Sequence, residues 1–367
     1  MVGYLTSLGI FIATYALFSL GLNLQWGFTG LINFGHIAFM TLGAYATVLL
    51  SLNGVPIWIA TLVGCGCAAF LGLLIGLSTL RLREDYLAIV TIGVSEVVRL
   101  IALNEEELTK GTRGVYGYPL PLDQLEPNLG VKLGMIGILT LIFGLSLWKL
   151  GQWIRQVPKG DRSRSWQRSM MAIVGYVLCL GFALTLYGTG LIGVWDYSYK
   201  AGLMWLLIVT VALVFWRLEA LVNSPWGRVL KAIREDEEVA KALGKDVFRY
   251  KLQAFMIGGA IAGLAGSFYA WQLTFINPDG FIPLITFQAW IIVVLGGSGN
   301  NVGTLLGAVI FWAYDAATRF LLPSLLPFDD ARLGAFRIMV IGLLMIVLMM
   351  WRPQGILGKK EELTLGR

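Results

Sequence analysis

No charged side chain precedes Arg81 in this 367-residue chain, and charged residues make up only 14% of the whole. A soluble domain cannot bury so long an uncharged start. At about 1.5 Å of rise per helical residue and about 30 Å per bilayer core, the stretch suffices for roughly three membrane crossings. Histidine is almost absent: His36 stands alone, which excludes metal sites built from several imidazoles. The three cysteines, Cys65, Cys67 and Cys179, form no CxxC pair or metal-ligand spacing and read as core packing residues. No GxxxxGK[ST] phosphate cradle occurs, so the chain carries no nucleotide site of that kind. No Ser/His/Asp, His/Cys or paired-carboxylate spacing supports a hydrolase, and the reading is of a protein without enzyme chemistry of its own. The start also lacks a basic n-region and a small-residue cleavage site, so the first helix is expected to be retained.

What is there is apolar surface: 57% hydrophobic residues and a mean hydropathy of +0.74. Apolar runs predict spans at Tyr4 to Leu24, Ile37 to Leu52, Ile57 to Leu80, Tyr86 to Leu103, Leu133 to Trp148, Met170 to Tyr187 and Gly202 to Trp216. Four more follow at Leu252 to Phe275, Ile285 to Leu295, Gly303 to Leu322 and Ala335 to Trp351. The expected fold is all-α, a polytopic transmembrane helical bundle of about ten membrane helices forming one domain over residues 1–367. Ile285 to Leu295 is too short for a straight span of about 20 residues and is a candidate half-helix or re-entrant piece. The 45 glycines fall largely inside apolar segments, where they let helix backbones approach closely in lipid.

The stretches 81–85, 149–168, 217–251 and 352–367 hold 2, 6, 8 and 4 Lys or Arg, twenty of the chain's 28. Placing them on the cytosolic side satisfies the positive-inside rule, with the N-terminus outside and the C-terminus inside. This asymmetry accounts for the net charge of +6 without nucleic acid as a partner. The loop 104–132, rich in Gly, Pro and acid, then lies outside and can receive a soluble delivery protein or serve as a plain connector.

Within the inward loop 217–251, Ser224 to Gly244 reads as one capped amphipathic helix: Ser224 at the N-cap, Pro225 at the first position and Gly244 as a left-handed stop. Trp226, Val229, Leu230, Ile233, Ala240 and Leu243 recur on one side at helical spacing. Arg228, Arg234, Glu235, Asp236, Glu238 and Lys241 fill the remainder. An interfacial helix on lipid and a protein-docking helix both fit, and the acidic run Glu235 to Glu238 favours a protein socket over an anionic leaflet.

Two places interrupt helical continuity: Trp26 to His36 and Leu295 to Gly307. Irregular backbone at membrane depth is tolerated only where protein buries it or a wet cavity meets it, so both are candidates for a substrate pathway; interfacial turns are the alternative. Asn33, Gly35, His36 and Thr91 are the candidate pathway residues beside these breaks, with His36 equally readable as packing. Glu96 and Arg99, three apart on one helix face, can pair; each alone would cost about 2.5–3.5 kcal/mol at the bilayer centre. They are a structural pair or a gate.

Four motifs then carry a resemblance: GLINFGHIAFMTLGAY from Gly30, LRLREDYLAIVTIGVSEVVRL from Leu80, GRVLKAIREDEEVAKALG from Gly227 and GGSGNNVGTLLGA from Gly296. Together they resemble the permease subunits of bacterial ABC importers for branched-chain and other neutral or hydrophobic amino acids, the LivM/LivH family, over nearly the whole length. In the third motif Arg228, Ala232, Arg234, Glu235, Asp236, Ala240 and Gly244 match the family's coupling segment. Trp226, Ile233 and Leu243 of the apolar docking stripe, with Gly227 at the start of the motif, complete the candidate ATPase-coupling set. The resemblance further implies a sister permease in a heterodimer, two cytosolic ATPase subunits holding ATP and Mg, a periplasmic amino-acid-binding protein, and residence in the bacterial cytoplasmic membrane. Lys110 and Arg113 bring charge to an outer-loop element where the family is usually neutral, and the basic stretch Lys149 to Arg168 departs from the shortest members. A urea-type permease of the same family and, from another class, a gradient-driven secondary transporter fit the same spans.

Overall fold

A computed structural model describes residues 2–80, 84–123, 125–156, 181, 184–185, 187–325, 329–351 and 354–358. Most of the expected span Met170 to Tyr187, most of the basic stretch 149–168, Cys179 and the charged segments 81–83, 352–353 and 359–367 lie outside the described residues.

The chain folds as an all-α polytopic bundle. Helix α1 (Val2–Leu22) runs into a π-helical turn, Asn23–Gly27, and is followed by α2 (Ile37–Leu52), α3 (Ile57–Thr79), α4 (Glu84–Asn104) and the short α5 (Glu106–Thr109). Then come α6 (Leu129–Gln156), α7 (Tyr199–Val222), α8 (Pro225–Glu235), α9 (Glu237–Ala242) and α10 (Val247–Leu273). The chain continues through α11 (Pro283–Gly296), α12 (Asn301–Leu325) and α13 (Asp330–Trp351). Among the described residues, eight helical segments are long and apolar enough to cross a membrane by length and composition. Lipid offers backbone groups no hydrogen-bond partners, so helices that pair their own N–H and C=O groups are the economical solution. Helix α2 is shorter, at 16 residues, and α11 has 14.

The chain divides into two compact units. One comprises Met1–Ile10 and Leu122–Ala212. Its core holds Met135, Leu139 and Val194, with Tyr187, Tyr197 and Trp205 packed around them. The Trp205 indole donates to the Met135 carbonyl (3.0 Å), which satisfies the polar end of an otherwise apolar ring.

The other unit comprises Phe11–Pro121 and Leu213–Arg367. Here α2, α3 and α10 pack on one another, and the π turn rests on α10. Small residues make the approach possible: a Cβ on either Gly21 or Gly258 would lie 2.6 Å from the other's carbonyl oxygen. Gln25 meets Phe255 four residues further along α1 and three back along α10, so these helices are antiparallel. Thr47 and Ser267 share a hydrogen bond (2.7 Å), four residues on from the close pair Gly43 and Gly263, so α2 runs parallel to α10. One strand pair, Val115–Tyr116 (β1) against Phe275–Ile276 (β2), joins the loop after α5 to the segment after α10, antiparallel with Val115 opposite Ile276. Cys65 and Cys67, expected in the core, are only half-buried, because they stand on a face of α3 that also exposes Leu62, Val63 and Phe70.

Candidate functional site

The segment Ser224 to Gly244 is two helices rather than one. Helix α8 starts at Pro225 as expected, but the Ser224 hydroxyl donates back to the Leu221 carbonyl (2.6 Å) and caps no N–H of α8. The helix ends at Glu235, and Asp236 adopts an extended backbone (φ −156°, ψ 108°). Its carboxylate accepts from the N–H groups of Glu238 (2.9 Å) and Val239 (3.0 Å) and so caps α9. The acidic run explains the break, since carboxylates disfavour a helix C-terminus and favour an N-terminus. Gly244, at φ 75°, stops α9 as the sequence suggested.

The break resets which residues face outward. Ile233 is 4% exposed and packs with Ala240, Val247, Val229 and Tyr250, so it faces its own chain. Trp226 is half-buried and donates from its indole to Gln253 on α10 (2.8 Å). Gly227 sits so close to Val222 that a Cβ there would overlap the Val222 backbone. Arg228, Ala232, Glu235, Asp236, Leu243 and Gly244 are exposed, while Ala240 is buried. The large apolar residues left outward are Leu243, 72% exposed, and Val239, 54% exposed. Val239 escaped the sequence reading because a single continuous helix phase turns it away from the apolar stripe.

Glu237 anchors α9 to α10 through an ion pair with the buried Lys251 and meets Lys241 at 3.2 Å. Burial works to raise the Glu237 carboxyl, but the hydrogen bonds and charges of Lys251 and Lys241 outweigh it and hold it below the usual carboxylate range.

Both interrupted segments come to the inner face of α8. Arg234 donates through Nη1 to the Gly27 carbonyl at the end of the π turn and through Nη2 to the Ser298 hydroxyl (3.3 Å) in the turn between α11 and α12. Asn23, on the π turn, accepts from the Gly299 N–H (2.9 Å) and donates to Asn301 (3.1 Å), which in turn donates to Glu219 (3.1 Å). Lys231 lies 5.7 Å from the centre of the Phe28 ring. Asn23 and Glu219 went unnoticed in the sequence because nothing local marks partners so far apart in the chain.

The first interruption is packed inside the bundle, with Asn33, Gly35 and His36 buried. Asn33 donates to Gln25 (2.8 Å) and accepts from the Gly35 N–H (3.0 Å), and its carbonyl takes the Trp290 indole (3.1 Å). The Phe34 N–H donates to the Thr91 hydroxyl (3.2 Å), and a Cβ on Gly35 would overlap the Thr91 carbonyl. His36 is fully buried between Phe18 and Phe39, with Nε2 3.2 Å from the Phe18 carbonyl and no partner at Nδ1. The first N–H of α2, on Ile37, is capped by the Thr286 hydroxyl of α11 (3.0 Å). The structure thus brings Asn33, Gly35 and Thr91 into one contact set, with His36 adjoining. Glu96 and Arg99 belong to another: Arg99 forks onto Glu96 (3.1 Å from Nε to each oxygen) and reaches Asp279 (3.3 Å) just before α11.

Helices that begin inside an apolar bundle, beside a solvent-exposed amphipathic pair, define a multi-pass membrane protein built around interrupted spans. The chain belongs to the family described as branched-chain amino acid transport system / permease component, which matches residues 4–349. It is 32% identical to the high-affinity branched-chain amino acid transport system permease protein LivM of Escherichia coli (strain K12), over 94% of this chain and 67% of that one. It is 25% identical to the probable branched-chain amino acid transport permease protein LivM of Methanocaldococcus jannaschii, over 95% of this chain and 92% of the relative. The permease protein LivH of Salmonella typhimurium is 25% identical over the same shares. No solved structure matches the chain.

Proposed function

We propose that the chain is the permease subunit of an ATP-driven ABC importer that moves branched-chain or other neutral, hydrophobic amino acids across the bacterial cytoplasmic membrane. Two separate cytosolic ATPase subunits hold ATP and Mg, a sister permease completes the pathway, and an extracytoplasmic binding protein delivers the substrate. The observation that carries this reading is the α8–α9 pair. It turns Val239 and Leu243 outward as an apolar socket contact and turns Arg234 inward onto both interrupted segments. A helix pair with one face free and the other fixed to the bundle suits transmission of a partner's conformational change. The names of the relatives support the substrate class.

The test is uptake of labelled leucine by proteoliposomes carrying the complete assembly, with unlabelled neutral amino acids, acidic amino acids and urea as competitors. Uptake that needs ATP and is suppressed by neutral amino acids supports the proposal. Suppression by urea alone replaces the substrate class, and uptake without ATP overturns the drive.

A further inference from the structure

Arg234 is the member of the coupling pair that reaches away from its exposed side. Trp226 and Ile233 hold the pair to α10, through Gln253 and Val247. Arg234 reaches elsewhere, with one arm of its guanidinium on the Gly27 carbonyl and the other on the Ser298 hydroxyl. These two acceptors lie in the two interrupted segments. Gly27 closes the π turn below α1, and Ser298 lies in the turn after the short helix α11. The acceptors are already tied to one another, because Asn23 joins the π turn to Gly299 and Asn301. Gly30, at φ 81°, lets the backbone lie flat along the Arg234 stem, where a Cβ would be 3.5 Å from Arg234 Cγ.

We infer that Arg234 is the positioning residue that carries movement of α8 into both interrupted segments at once; this rests on the permease reading above. A planar fork with donors fixed in direction can hold two acceptors on different segments in register. A lysine ammonium is a single point on a flexible stem and holds one at a time. A π turn is a suitable receiver, since its hydrogen-bond pattern departs from the α-helical one and a small displacement can repack it. Pulling on Arg234 therefore shifts the ends of α1 and α11 together, and those helices lead directly to the contact between Thr286 and the start of α2.

The experiment uses the complete assembly in proteoliposomes and reads ATP hydrolysis and labelled leucine import in the same vesicles, for wild type, Arg234→Gln, Arg234→Lys and Ser298→Ala. For Arg234→Gln, hydrolysis is expected to stay within about twofold of wild type while leucine imported per ATP falls about tenfold or more, as befits loss of charge-assisted hydrogen bonds. Arg234→Lys should fall between the two, and Ser298→Ala, which removes one arm only, should lower the ratio about threefold. An unchanged ratio in Arg234→Gln, or equal loss of hydrolysis and import, overturns the inference, because the first means no transmission and the second a role in docking or folding. If Arg234→Gln does not assemble, an unchanged ratio in Ser298→Ala overturns it equally. Import by wild type without ATP defeats the permease reading instead, and so remains a distinguishable failure.

Discussion

The two loops that lead into the short helices α2 and α11 can be compared position for position. Residues 28–36 separate the π turn from α2, and residues 274–282 separate α10 from α11, nine positions in each case. Each leads into a helix shorter than a straight span, and the helices before and after the first lie along α10, α1 antiparallel to it and α2 parallel. Their fastenings differ. The first is held by buried groups, Gln25, Asn33 and Thr91, with Gly35 pressed on the Thr91 backbone. The second is fastened by the two-residue pairing of β1 with β2, whose Val115 and Ile276 are buried, by the Arg99–Asp279 ion pair with Asp279 exposed, and by the Asn277 side chain accepting from Gly280 (3.2 Å). Buried polar groups left unmatched cost far more than exposed ones, so the loop 28–36, held by buried side-chain polar groups, is the fixed frame and the loop 274–282, with its exposed ion pair, is the looser one.

Glycine substitution sharpens that contrast most. Gly35→Val should destabilise the protein by about 3 kcal/mol or more, because a backbone carbonyl cannot move aside as a flexible side chain can. Gly280→Ala meets only the Asn277 side chain at 3.3 Å and should cost less than about 1 kcal/mol. Thermal unfolding in detergent compares the two, and equal losses would break the distinction.

The contact between α11 and the start of α2 comes next. Thr286→Val keeps the shape and removes the hydroxyl that caps Ile37, leaving a buried N–H unpaired at a cost of about 1–3 kcal/mol. Thr286→Ser should restore most of it by the same unfolding measurement. Asp279→Asn should matter least. Its side chain is largely exposed in the pair with Arg99, so about 0–1 kcal/mol is expected, diminishing further in high salt.

Much of this was legible in the amino-acid order. Apolar runs gave the spans, because lipid enforces composition over some twenty positions at a time. Pro225 and Gly244 fixed the ends of the segment 224–244 by local backbone preference, and the three-residue spacing of Glu96 and Arg99 announced their pairing. The break at Asp236 was missed because a good helical stripe outweighed the competing power of an aspartate to cap a new helix. Thr286 opposite Ile37 and Gln25 opposite Phe255 join positions 249 and 230 residues apart, and no local pattern records such pairings. The direction of Arg234 was hidden for the same reason: its helix phase marks it as polar, and only the fold shows that the polar neighbours are Gly27 and Ser298.

The proposed function requires the α8–α9 pair to pass on a conformational change made in separate ATPase subunits. Labelled leucine flux into proteoliposomes tests this most directly, measured with the chain alone and with the proposed permease, ATPase and binding-protein partners, each with and without ATP. Flux only from the full assembly with ATP is the predicted result; flux from the chain alone, or from the assembly without ATP, would contradict it.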